Sequence, residues 1–229
     1  IAALTTAQMP FFTNGQTARF TTDQVQSLQA ADLRAFATGQ VLAITSDQLR
    51  ALTTDQYRAF TTAQVAALAT RQVVAIEVAD VKALLETQVR ALLPQQISAL
   101  TTDQFSGMES AQLVTLNSLQ LTAVSTAQIR ALTSSTVSGL STGVIFVISS
   151  DQLGAFTSTQ TRALGTNQIM ALTSGQTSSL STRFVSLLTS SQIAAIETDD
   201  FSSLSTAQIA TFTTASVRAI TVSQVTVLT

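Results

Sequence analysis

Thr53-Thr54-Asp55-Gln56-Tyr57-Arg58-Ala59-Phe60 is followed without a gap by Thr61-Thr62-Ala63-Gln64-Val65-Ala66-Ala67-Leu68. The two stretches are copies of one unit, T-[TS]-[AD]-Q-[VIL]-x-A-[LIF], and the unit continues in both directions. From Thr5 to Leu228 the chain divides into 28 octads with no inserted or deleted residue. Repetition this strict decides the fold class before any single residue does. A single tandem array over residues 1–229 is expected, because an uninterrupted repeat has no place for a domain boundary. The half-unit Ile1-Ala2-Ala3-Leu4 opens the chain in mid-octad, without an initiator Met or a basic-then-apolar signal segment. The expectation is an excerpt, or a processed piece, of a longer array.

Numbering the octad from Thr5, position eight is apolar in every copy, and position five in all but Thr17, Thr161 and Thr177. Position seven is mostly small, as at Ala51, Ala83 and Gly139. These three positions are the expected core. Positions five and eight have opposite parity, so one extended strand would send them to opposite faces. The Ala, Gln, Leu and Arg of positions three to eight favour helix instead.

The charges support helix independently. All 13 acidic residues lie at positions one to four, and 8 of the 11 basic residues lie at position six. Acids at the start and bases at the end of each octad suit a helix dipole, at about 0.3–1 kcal/mol per charge. A continuous helix fails, because eight residues turn through about 800° and the apolar stripe would drift about 80° per octad. Each octad is therefore expected to hold one short helix of about six or seven residues, with a bend at each Thr pair.

Ser or Thr stands at position one in 18 octads and Gln at position four in 21. This is the spacing of a capping box, in which each side chain satisfies a backbone N–H near the other. Position one is the expected N-cap, with position two as the alternative. Pro94 at position two agrees, since Pro suits the first helical position. The fold class is thus all-α: a solenoid of 28 capped helical steps wound around an apolar axis. Right-handed winding and an elongated rod follow if the bend undercompensates the drift. Large residues at position six (Leu42, Val74, Val114, Phe146, Met170) recur every three to five octads, compatible with roughly four octads per turn. Pro10, inside the first expected helix, and the turn signal Asn14-Gly15 just after it predict a kink or fraying at that edge. Phe184 and Val144 break the Gln column.

Candidate functional features are few. The column from Gln8 to Gln224 reads as capping plus amide bonds to the neighbouring turn; a glycan-binding ladder would require it to face solvent. The Thr pairs read as caps and bends in preference to an ice-binding array of hydroxyls. Asp47/Arg50 and Asp55/Arg58, at i,i+3, read as surface helix pairs. Asp199-Asp200 is a weak metal signal without a calcium-loop setting. No His or Cys is present, which removes imidazole ligands, thiolates and disulfides. With no base to activate a hydroxyl and no phosphate-binding loop, no catalytic, cofactor-binding or metal-binding residue is expected and no enzyme. Charged residues make up 10% and the net charge is -2, so nucleic acid is not an expected partner. No run of about 20 apolar residues predicts membrane insertion.

The octad Thr-Thr-Asp-Gln-Val/Tyr-Arg-Ala-Leu/Phe resembles short-period repeats of very large bacterial surface and secreted proteins, often adhesin-like. The resemblance covers the whole chain. It implies a right-handed α-superhelical rod at the cell surface or outside the cell, serving as a stalk, with flanking repeats or modules of the same protein as neighbours. It supplies no functional residues. The alternative is a repeat module that binds a glycan or protein on its superhelical surface.

Overall fold

A computed structural model describes residues 5–228. Among them there is no strand, and every octad forms one helical segment of four to six residues. Two compact units result, Ile1–Ala123 and Val124–Thr229. Each is an all-α helical solenoid.

Within a unit, the octad folds as its polar half dictates. Thr53 is the N-cap of the helix Thr54–Ala59, with φ -82° and ψ 159°, and its side chain accepts from the Gln56 N–H. Leu52 before it closes the preceding helix Ser46–Ala51 and is also extended, at φ -67° and ψ 145°. The bend therefore lies at positions eight and one, one residue earlier than the Thr pair. Position two is already helical, as Pro94 at the start of Pro94–Ala99 shows. The N-cap at position one is thereby confirmed. The last turn tightens, because the position-eight N–H bonds to the position-five carbonyl three residues back, as Leu52 does to Leu49 at 3.1 Å.

Position five is buried throughout the interior, from Leu33 and Val41 in the first unit to Ile193 and Phe201 in the second. Position eight closes the core beside it. Two expectations change here. Position seven is mostly half-buried, with Ala59, Ala75 and Ala155 as fully buried exceptions, whereas 18 of the 21 Gln at position four are buried. The core positions are thus four, five and eight: an amide enters the core because its bonds are satisfied there.

Helices pack chiefly against the third helix along. In the first unit Thr22–Gln26 lies on Ser46–Ala51, and Thr54–Ala59 on Val78–Ala83; in the second, Ser134–Ser138 lies on Ser158–Ala163, and Ser190–Ala194 on Thr214–Ala219. The glutamine side chains bond across 28 to 31 residues, so the chain returns over itself every three to four octads. The large position-six residues are exposed, Phe146 to 61% and Leu42 to 44%, so their spacing reflects no packing along the axis.

At the first described octads, Pro10 sits inside Thr6–Phe11, which is a 3-10 helix instead of an α-helix. A proline supplies no N–H for the wider turn. Asn14-Gly15 does not form a turn: it opens the helix Asn14–Thr17 behind the N-cap Thr13, and no glycine in the described chain has positive φ.

Candidate functional site

The most repeated side-chain arrangement is the glutamine column, and it looks inward. Gln56 Oε1 accepts the N–H of its own N-cap, Thr53, at 2.8 Å. Its Nε2 donates to the carbonyls of Val25 at 3.0 Å, Gln26 at 3.1 Å and Leu28 at 2.7 Å, one turn back. Gln64 repeats this on Leu33 at 2.8 Å and Phe36 at 2.7 Å, and Gln96 on Val65 at 3.0 Å and Leu68 at 2.6 Å. In the second unit Gln160 takes Ile129 at 2.9 Å and Leu132 at 2.6 Å, and Gln208 takes Thr177 at 3.0 Å and Leu180 at 2.7 Å. The two amide hydrogens are spent on the short bonds, to the position-five and position-eight carbonyls of the turn behind. One side chain thus caps its own helix and staples it to that turn.

Only a carboxamide on a two-carbon stem meets these demands. Glutamate has no hydrogen to donate, and asparagine is one methylene shorter. Since the column is buried, with Gln64 2% and Gln96 2% exposed, it offers no surface to a glycan. Gln8, Gln16 and Gln24 are exposed, and Oε1 of each accepts from its own N-cap. Where position one has no hydroxyl, the glutamine still serves the N-cap, as Gln72 does for the Ala69 N–H at 2.8 Å.

Seven octads carry another residue in the column. Val144 and Phe184 are buried apolar fillers. Thr136 and Ser216 meet the hydroxyls of their N-caps, Thr133 and Thr213, at 2.8 and 3.0 Å. Asp32 accepts from Gln29 N–H at 3.0 Å and from the Thr6 hydroxyl at 2.8 Å. Asp200 accepts from the Ser174 hydroxyl at 2.6 Å. Asp80, 6% exposed, makes neither kind of bond; burial first, and then the Glu77 charge, push its carboxyl up to about 6. Tyr57, fully buried at position five, donates its hydroxyl to the Leu49 carbonyl at 2.8 Å. Burial, with the charges of Asp80 and Glu77, pushes that phenol far above its ordinary range. Sequence reasoning placed Tyr57 at the axis without seeing this bond, although the one Tyr in a mostly aliphatic column was the available signal.

The charged candidates divide. Asp47 and Arg50 pair at 2.9 Å and Asp55 and Arg58 at 3.7 Å, with all four side chains more than half exposed. Arg58 also does something unforeseen: its Nε donates to the Ala83 carbonyl at 3.2 Å, on a later turn, as Arg34 does to Ala59. Lys82 meets Glu109 of a later turn at 2.9 Å, and that bond raises its ammonium pKa. Asp199 is exposed while the adjacent Asp200 is buried on Ser174, so the pair does not converge. Among the described residues no group of three or more His, Cys, Asp or Glu is placed to hold a metal ion. No described helix is long and apolar enough to cross a membrane. On the second unit a shallow groove is lined by Thr126, Arg130, Ser150, Asp151, Ser179 and Ser181.

A family profile described as the ALTTAQ repeat matches residues 25–57, 41–75, 73–109, 105–142, 145–182 and 193–229. The chain belongs to the ALTTAQ repeat family. Each ALTTAQ match is only a little longer than the four octads that one glutamine staple bridges. The profile thus matches an array at about the length at which an octad first meets its partner turn. No curated protein matches the chain.

Proposed function

We propose that this ALTTAQ array is a structural spacer, the stalk of a large bacterial surface or secreted adhesin-like protein, in which length is the function. The observation that supports it is the inward commitment of the repeat's most specific side chain. Gln56 and its counterparts are consumed in joining one turn to the next, so the most regular feature of the sequence is used in building, and catalysis is no part of this reading. Its neighbours are flanking repeats or modules of the same protein, outside the cell; nucleic acid and the bilayer interior are not among its partners. In the parent protein, replacing the octads with an unrelated spacer of equal length should preserve adhesion, and a shorter spacer should reduce it. Loss of adhesion with the equal-length spacer would count against this reading.

The second reading is a binding module for a glycan or protein on the solenoid surface. The groove bearing Thr126, Arg130, Asp151 and Ser181 favours it, since hydroxyls beside opposite charges suit a polar ligand. Binding on a glycan array that is lost on R130A would support it.

A further inference from the structure

The staple joins two turns by a side chain and a pair of backbone carbonyls 31 and 28 residues away, as Gln56 does with Val25 and Leu28, so no peptide link enters the junction itself. On the first unit Gln8, Gln16 and Gln24 depart from this pattern. Their Oε1 atoms serve their own N-caps, but the side chains are exposed and Nε2 of none of them has an acceptor among the described residues. Gln8 and Gln16 line an open groove with Phe11 and Phe12, and Phe11 is 85% exposed. On the second unit the complementary groups are the ones left open. The position-eight carbonyls of Phe212, Ile220 and Leu228 receive no donor among the described residues, whereas those of Leu28 and Phe36 each receive a glutamine at 2.7 Å. Around them Val217 and Val225 at position five are 55% and 54% exposed, and Leu228 42%, although these positions are buried in the interior.

We propose that these two faces bind each other between copies: the first octads of one chain dock on the last octads of a second copy, and the glutamine staple is completed in trans. The open donors and the open acceptors are both spaced by eight residues, so one placement brings all three into register. Gln8 then takes the carbonyls of Ile209 and Phe212, Gln16 those of Val217 and Ile220, and Gln24 those of Val225 and Leu228. The partner is a second copy because what the donors lack is the carbonyl pair of an ALTTAQ turn, at the spacing that Gln56 and Gln64 use. Docking also covers the apolar side chains that the two faces leave in water, and it gives the exposed carbonyls the donors that their interior counterparts have. The contact is head-to-tail, with different surfaces on the two copies. Each chain that joins therefore leaves one donor face and one acceptor face open, and assembly does not stop at two. This joining does not depend on the array's being a spacer.

Sedimentation velocity of the full chain over a concentration series should show a mass that rises with concentration past that of a dimer. The variant Q8E/Q16E/Q24E keeps each Oε1 for its own N-cap and removes the donors, and it should sediment as a monomer throughout. V217D/V225D, which sets charge on the acceptor face, should do the same. All five positions are exposed, so the circular dichroism of both variants should match that of the wild type. Each variant retains the face that the other lacks, so a mixture of the two should form a one-to-one pair and nothing larger. A wild type that stays monomeric, association that survives Q8E/Q16E/Q24E, or folded variants that do not pair when mixed would each overturn the proposal.

Discussion

At the residue scale the decisive group is one carboxamide that accepts one hydrogen bond and donates two. Gln64→Ala removes both inter-turn bonds to Leu33 and Phe36 and the bond to Thr61 N–H. The Leu33 carbonyl keeps the Phe36 N–H, so the groups left unpaired are the buried Phe36 carbonyl and the N–H of the exposed Thr61; at about 1–3 kcal/mol for a buried group, chemical denaturation should show a loss of about 2 kcal/mol. Gln64→Glu keeps the size and loses the donor, and should be more destabilising at pH 7 than at pH 5. The buried threonines at position five make the converse case. Thr161 and Thr177 have hydroxyls with no partner, whereas Thr17 returns its own to the Thr13 carbonyl at 3.1 Å. T161V should therefore stabilise by about 1 kcal/mol or more, and T17V by less; comparing the two by thermal unfolding separates lost desolvation from a general gain in hydrophobicity.

At the element scale, a helix of four to six residues has almost no stability of its own, so its ends matter as much as its middle. Thr61 caps Thr62–Ala67 by accepting the Gln64 N–H at 3.2 Å, while Ala69 has no oxygen to offer Thr70–Ala75. T61A should cost about 1 kcal/mol and A69T should regain a similar amount, read as opposite shifts in denaturation midpoint. This much of the helix was legible beforehand: the N-cap at position one, the capping spacing and the charge polarity are all local, and local chemistry repeats visibly with the octad. The amide bonds of the Gln column to the neighbouring turn were legible too; less legible was how far that turn reshapes the core. The bend fell at positions eight and one because position two had to be helical for the cap to close. Position seven lost its core place to the glutamine, whose burial depends on carbonyls of the previous turn, far off in sequence. The role of Tyr57 was hidden for the same reason, since Leu49 is a neighbour only in the folded solenoid.

At the scale of each whole unit, the period is the constraint. Removing residues 53–60 deletes one complete octad and brings Thr61 directly after Leu52, so every later Gln again finds a position-five and a position-eight carbonyl behind it. Removing only residues 53–56 joins Leu52 to Tyr57, deletes Gln56, and puts Gln64 and Gln72, which reach back across the cut to Leu33 and Val41, out of register with the turn they staple to. The eight-residue deletion should retain a cooperative thermal transition and helical circular dichroism close to that of the parent, and the four-residue deletion should lose cooperativity. Comparable transitions in the two variants would contradict the stapled register.

The staple also has a direction in time. Every inter-turn glutamine donor described above looks back along the chain: Gln96 reaches Val65 and Leu68. A growing or emerging polypeptide therefore meets each new octad with its acceptors already in place. The separation in sequence stays the same however many octads are added, so the search distance does not lengthen with the array. At synthesis rates of about 5–20 residues per second, each octad would wait only seconds between the appearance of its partner and its own. The stretch of chain that must emerge before an octad can be stapled is thus the same for the tenth octad as for the twentieth.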